Sequence, residues 1–285
     1  MQAIPEIRAG QSIELLKELH ILTRDGKLNQ DSRRKLKQVY HLYQFIEPLM
    51  QSMLDKQAAL ANPRGLRLVD HGAGKSYLGF ILYDLFFKAL RNASHVYGIE
   101  AREELVIRSQ ALAERLGFSA MSFLNLSVAE SIDSDLLPAE IDIVTALHAC
   151  NTATDDAIQF ALKKQASHIV LVPCCQAEVA AVLNSLKSQS LGKSALTEIW
   201  RHPLHTREFG SQLTNVLRCL QLEAHGYQVS VTELVGWEHS MKNELIIATY
   251  KNLPRRRPAE RLQEVLASVG LEQMHQRFFT NIAEV

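Results

Sequence analysis

Cysteine is scarce in this chain of 285 residues: Cys150, Cys174, Cys175 and Cys219 are all it has, with no C-x-x-C pair among them. That excludes a disulfide framework and the familiar zinc-binding spacings. A surplus of either charge is also missing, because 31 basic residues meet 31 acidic ones. Any contact with a polyanion must therefore come from local patches and not from a basic coat. No apolar run approaches the ~20 residues of a membrane span, so no membrane partner is expected. The amino terminus, MQAIPEIRAGQSIELL, lacks a basic segment followed by a long apolar stretch, so no signal peptide is expected. Reduced thiols then point to a cytoplasmic protein. There is no internal repeat and no low-complexity segment, and nothing in the sequence sets an oligomeric state.

What is present falls into three parts. Residues 1–62 read as a helical extension, with one helix over Ser12 to Leu22. A longer one starts at Asp31-Ser32, a good cap pair, and carries Leu36, Val39, Tyr40, Leu42, Tyr43 and Ile46 at helical spacing; Pro48 is a candidate kink. Asn62-Pro63-Arg64-Gly65 is a turn cluster that marks a boundary. Residues 63–251 then alternate strand and helix. Strands are expected over Leu66–Val69, His95–Ile99, Met121–Leu124, Ile141–Leu147 and His168–Val172. Helices are expected near Ser76–Arg91, Glu103–Leu116, Asp155–Gln165 and Gln176–Leu186. Such alternation implies an α/β fold with a doubly wound parallel sheet. Tyr227–Leu234 and Glu244–Tyr250 are β-rich and close together, which suits an antiparallel hairpin and brings the strand count to seven. Residues 252–285 are a basic linker and a carboxyl-terminal helix.

The stretch LRLVDHGAGKSYLGFILYDLFF, beginning at Leu66, is the most informative. An apolar strand ends in Asp70, a tight turn follows at Gly72-Ala73-Gly74, and a helix begins. This geometry offers backbone N–H groups and a helix N-terminus to a cofactor, and glycine lets that cofactor approach the backbone. A phosphate-binding P-loop would need glycine where Val69 stands, so Gly74-Lys75-Ser76 alone makes a weak ATPase motif. A dinucleotide fingerprint would need a small residue at Tyr77. S-adenosylmethionine remains, and Glu100, at the end of the next strand, suits both ribose hydroxyls; NAD enzymes use the same device.

DHGAGKSYLGF, YGIEAREEL, LHACNTATDDAI and VPCCQAEV together resemble a family of class I S-adenosylmethionine-dependent methyltransferases. Its relatives include the eukaryotic acceptor-stem tRNA 2′-O-methyltransferase and the methyltransferase module of the glutathione S-transferase C-terminal domain-containing protein. The resemblance runs from about Arg33 to Lys251. It departs from the family at Ser76, where glycine is common. It implies a mostly parallel, seven-stranded Rossmann-like sheet closed by an antiparallel hairpin. S-adenosylmethionine would be held by Asp70, Gly72, Gly74 and Glu100, with Asn125 and Ser127 near the adenine and Leu147-His148 flanking the methionine moiety or the acceptor.

Ligands of doubly wound sheets sit outside the carboxyl ends of the strands, where His148, Cys150, Cys174 and Cys175 converge. These are the catalytic candidates, and no metal is expected. His148 suits general-base work near neutral pH. The cysteines could be nucleophiles, as in RNA 5-methylcytosine enzymes, positioning groups, zinc ligands together with His148, or packing. Asp155 could orient a histidine or cap the helix that follows, and T-A-T-D-D-A before an apolar helical run favours the cap. His239 and Asn243 complete the acceptor side. Arg33, Arg34, Lys35 and Lys37 form one basic cluster and Arg255, Arg256 and Arg257 another, and both could meet RNA phosphates. The expectation is a methyltransferase acting on RNA, tRNA or rRNA. The alternatives are a S-adenosylmethionine-binding scaffold without turnover and an enzyme with a protein or small-molecule acceptor.

Overall fold

The structure is a computed structural model describing residues 6–90, 92–147, 152–173, 176–187, 195–234, 244–253 and 257–278, without the side chains of residues 128 and 129. Seven strands form one sheet: β1 Arg67–His71, β2 His95–Glu100, β3 Met121–Asn125, β4 Ile143–Leu147, β5 His168–Val172, β6 Tyr227–Glu233 and β7 Glu244–Tyr250. Their order is β3-β2-β1-β4-β5-β7-β6. The first five run parallel, β7 runs antiparallel to β5, and β6 runs antiparallel to β7. The expected hairpin register is Tyr227 opposite Tyr250 through Glu233 opposite Glu244.

Helices in chain order are α1 Ile13–Glu18, α2 Gln30–Ala58, α3 Tyr77–Leu85, α4 Glu103–Arg115, α5 Val128–Asp133, α6 Ala153–Lys163, α7 Glu178–Ser185, α8 Pro203–Ala224, α9 Pro258–Ser268 and α10 His275–Phe278. Several boundaries differ from expectation, beginning with α1, which spans Ile13–Glu18 and stops short of the expected Leu22. Asn29, not Asp31 or Ser32, caps α2, its side chain accepting from the Ser32 N–H at 2.7 Å. α2 continues through Pro48 to Ala58. α3 ends at Leu85, and the chain tightens into a 3₁₀ turn over Phe87–Ala89 instead of running to Arg91.

Side chains alternate across the sheet with the period of two that strand geometry imposes. Leu68, Val96, Ile143, Val170 and Leu245 face a core shared with α1, α2 and α3. Val69, Ile99, Val144, Ile169 and Ile246 face α6 and the end of α8. A third cluster packs Val179, Leu183 and Trp200 against Leu213 and Leu217 of α8 and Leu262, Leu266 and Phe278 near the carboxyl end. The same alternation sends neighbours Asp70 and His71 to opposite faces, which decides their environments below.

At the amino edge of the sheet, the buried Asp142 fixes the boundary turn. Its two oxygens each accept from the Arg64 guanidinium at 2.8 Å, and one also accepts from the Arg67 N–H at 2.8 Å. Truncation would leave the Arg67 N–H and part of a guanidinium without an acceptor. Asp142→Ala is therefore expected to destabilise the fold by roughly 2–4 kcal/mol. Urea unfolding is the check, and a loss under half a kcal/mol would show that water replaces the carboxylate there.

Candidate active site

The strand order reverses direction between β1 and β4, and a crevice opens at their carboxyl ends, where such sheets bind ligands. The turn after β1 lines it. Gly72 and Gly74 take φ of 64° and 57°, the left-handed region that glycine adopts without cost. Ser76 is also left-handed at φ 51°, a conformation that costs an L-residue about 1 kcal/mol. The turn is pinned by Ala73 N–H donating to the Ile99 carbonyl at 2.9 Å. Beneath it lies the Asp70 carboxylate, accepting from the Thr145 hydroxyl at 2.9 Å, the Gly79 N–H at 3.3 Å and the Ser76 hydroxyl at 3.4 Å. Burial pushes the Asp70 pKa up to about 6, against the opposing pull of these donors. The Ser76 side chain is fully buried and aimed at Asp70. It cannot ligate a nucleotide-bound cation in this position, which removes the last support for a P-loop.

Glu100, at the end of β2, turns back onto the turn. One oxygen accepts from the Gly74 N–H at 2.7 Å and from an Arg102 guanidinium nitrogen at 3.3 Å. The other accepts from Arg102 N–H at 3.1 Å and Arg102 Nε at 2.8 Å. Burial raises its pKa, but the Arg102 and Gly74 donors outweigh burial and hold it below the usual carboxylate range. Arg102 is mostly exposed, so ribose hydroxyls can replace it as donors to a carboxylate that only accepts. Asn125 braces the same corner, donating to the carbonyls of Glu100 at 3.1 Å and Ala101 at 2.9 Å. Ser127 closes a capping box with Glu130 at the start of α5. That short helix was missed, although S-x-x-E is its signature.

A cavity of about 380 Å³ lies over the glycine turn, bordered by Arg102 but not lined by Glu100, Asn125 or Ser127. Asp70, Gly72, Gly74 and Leu147 line it from the sheet, and Lys35, Gln38, Val39 and Leu42 line it from α2. The amino-terminal helix is thus a wall of the crevice, a role its sequence did not reveal. Its basic cluster divides: Lys35 faces the crevice, while Arg33 and Lys37 border a separate groove with Tyr40 and His41.

His148, Cys150, Cys174, Cys175, His239, Asn243, Arg255 and Arg256 lie outside the described residues. Arg257 precedes α9, exposed and paired with Glu260. Among the described residues, Cys219 is a free thiol, and burial pushes its pKa up to about 12. Asp155 is not a cap. It is buried in the first turn of α6, both oxygens held by Arg218 at 2.8 and 2.7 Å, with Arg277 at 2.9 Å. Thr152 precedes the helix without a side-chain cap bond.

Residues 34–182 match the family model described as a methyltransferase domain. The chain belongs to that family. It is 27% identical over 242 residues to the glutathione S-transferase C-terminal domain-containing protein of Bos taurus, covering 79% of this chain and 34% of that protein. It is 26% identical over 223 residues to the homolog from Drosophila pseudoobscura pseudoobscura, covering 70% and 36%. The chain thus spans about a third of the length of these relatives. Among solved structures it is similar to magnesium protoporphyrin IX methyltransferase from Synechocystis PCC 6803 with bound SAH. The TM-score is 0.44 at 15% identity, over 84% of this chain and 93% of that one. The glycine turn with the cavity over it, and the acceptor-only Glu100 bonded to that turn, fit S-adenosylmethionine.

Two predictions follow from the geometry. Glu100→Ala removes the ribose acceptor, and hydrogen bonds to a charged group contribute roughly 1.5–3 kcal/mol. Calorimetry with S-adenosylhomocysteine should show affinity at least tenfold weaker; unchanged affinity would remove Glu100 from the site. The second concerns His71, buried against Phe160 at 5.4 Å with both ring nitrogens unpartnered among the described residues. Burial lowers its pKa to about 4, while Glu100 pulls weakly upward. The unfolded chain therefore binds a proton below pH 6.5 that the fold refuses, and stability is lost as pH falls from there toward 4. His71→Phe should erase this term, shifting the stability difference between variant and wild type by about 2 kcal/mol between pH 7.5 and 5. Parallel denaturation curves at the two pH values would show that His71 does not titrate this way.

Proposed function

We propose that this methyltransferase acts on RNA, binding the acceptor's phosphates along α2 and presenting the acceptor at the mouth of the crevice. The observation that carries the proposal is the position of Lys35. It sits on the wall of the cofactor crevice, on the helix whose other basic residues, Arg33 and Lys37, border the neighbouring groove. Lys75 and Arg102 border the same crevice from the sheet side. A polyanion following these cations ends beside the methyl donor. The motif resemblance to the acceptor-stem tRNA 2′-O-methyltransferase favours the same substrate class by analogy.

S-adenosylmethionine supplies an activated methyl group on a sulfonium, so the protein's work is to orient the acceptor and take up its proton where needed. Glu100 anchors the donor's ribose, the Gly72–Gly74 turn admits it close to the backbone, and Leu147 with Val39 and Leu42 gives apolar walls that exclude water. His148 is the proposed base, with Cys150, Cys174, Cys175, His239 and Asn243 on the acceptor side. Arg255, Arg256 and Arg257 are proposed as a second phosphate contact.

Binding of tRNA and rRNA fragments should weaken with salt, each phosphate contact contributing roughly 0.7–0.9 to the logarithmic slope. Replacing Arg33 and Lys37, which border the neighbouring groove, by alanine should flatten that slope by about two contacts while cofactor affinity stays within twofold. Absence of RNA binding at low salt would overturn the proposal in favour of a protein or small-molecule acceptor. RNA binding with cofactor bound but no methyl transfer would favour a scaffold.

A further inference from the structure

A second groove adjoins the cofactor crevice, between α1 and α4. It encloses about 360 Å³, and Lys75 and Tyr77 line both it and the crevice, so the two join across the first residue of α3. Leu19, Leu105 and Leu112 give the groove an apolar floor, to which Tyr77 adds an aromatic ring. Its charged rim holds Lys75, Arg108, Arg115 and Glu18. Arg115 is occupied, because it pairs with Glu18 at 2.7 Å and with Glu14 at 3.0 Å. The exposed side chains of Lys75 and Arg108 have no hydrogen-bond or ion-pair partner among the described residues. Two unpaired cations therefore border a groove whose acid is already neutralised.

A hydroxyl lies recessed between them. Ser109 sits on the packed side of α4, in line with Val106 and Ala113 of the core, and is only 5% exposed. Its hydroxyl has no hydrogen-bond partner among the described residues, yet the residue lines the groove. Serine gains nothing inside a helix, and a buried hydroxyl without a partner is a cost to the fold. A ligand that bonds to it removes that cost. The apolar floor and the ring suit the face of a nucleobase, the hydroxyl suits its polar edge, and the two cations suit a phosphate. Together these are the parts of one nucleotide. The volume is also that of a small-ligand pocket. Tyr77, whose bulk breaks a dinucleotide fingerprint, is here a wall shared by two neighbouring sites.

We propose that the groove between α1 and α4 is a nucleotide subsite, which takes the base and phosphate of an RNA residue adjacent to the one being methylated. This rests on the RNA reading of the crevice: α2 leads the acceptor's phosphates to it, and the groove receives the chain beyond Lys75. Tyr77 stacks on the base, Ser109 bonds to its polar edge, and Lys75 and Arg108 hold the phosphate. Arg108, Ser109 and Ala111 do not line the crevice, so donor binding is independent of them.

The test crosslinks the full chain to tRNA and rRNA transcripts carrying 4-thiouridine, which couples to adjacent side chains under ultraviolet light. Adducts are expected on Tyr77 and on the peptide spanning 103–115, as well as on α2. Ala111→Trp, at an exposed position of the groove, should fill it and abolish the groove adducts while those on α2 persist. Arg108→Ala should lower the logarithmic salt slope of RNA binding by roughly 0.7–0.9, one contact, with S-adenosylhomocysteine affinity within about twofold of wild type. Ser109→Ala should weaken RNA binding roughly two- to tenfold. Transcripts that crosslink to α2 alone, with a wild-type slope in Arg108→Ala, would overturn the subsite and leave the RNA reading standing. A wild type that binds no RNA at low salt would overturn both. Tighter binding of free AMP, GMP, CMP or UMP than of the transcripts would make the groove a free-nucleotide site and overturn the RNA subsite.

Discussion

A carboxylate shut away from water sits under the glycine turn, and the crevice is arranged around it. Asp70 is the last residue but one of β1, yet its bonds reach β4 through Thr145, the first turn of α3 through Gly79, and the turn itself through Ser76. Desolvation raises its pKa to about 6, so at neutral pH it is mostly an anion whose stability depends entirely on those donors. That dependence works in both directions. The donors hold the charge, and the charge holds two strands and a helix in the one arrangement that presents Gly72 and Gly74 to a ligand. Glu100 then needs only to turn back onto Gly74 to complete the floor.

The two faces of β1 show how one strand separates tasks. Asp70 meets donors on the α3 side, and one residue on, His71 packs against Phe160 on the α6 side with no hydrogen-bond partner among the described residues. The first gains charge-assisted hydrogen bonds, and the second is kept neutral by burial. Their effects on acid stability oppose each other, since Asp70 favours the folded chain as pH falls toward 4 while His71 disfavours it.

How far the sequence carried depended on the range of the forces involved. Strand positions follow from alternation of nearby residues, and all seven strands came within two residues of their expected ends. The glycine turn and Glu100 were readable because the acid, the turn and the next strand end have fixed spacing. Asp155 was misread as a cap because its real partners, Arg218 and Arg277, lie 63 and 122 residues away, and nothing local signals an ion pair formed on folding. Lys35 looked like any other member of a basic cluster, because which side of α2 meets the crevice depends on how the helix docks. Asn29 lost out to Asp31-Ser32 because several capping residues stood in succession, and only packing selects among them.

The crowding between Ser76 and Gly79 has a consequence for how this turn can change over generations. A Cβ built on Gly79 would lie 2.6 Å from the Ser76 hydroxyl oxygen and 3.3 Å from both an Asp70 oxygen and the Met121 methyl. The two positions therefore cannot vary independently. With serine at 76, alanine at 79 would have to push that hydroxyl aside, and glycine at 76 would remove the shortest of these contacts. The two positions are coupled through a hydroxyl in a left-handed turn, so they should covary among descendants of this chain.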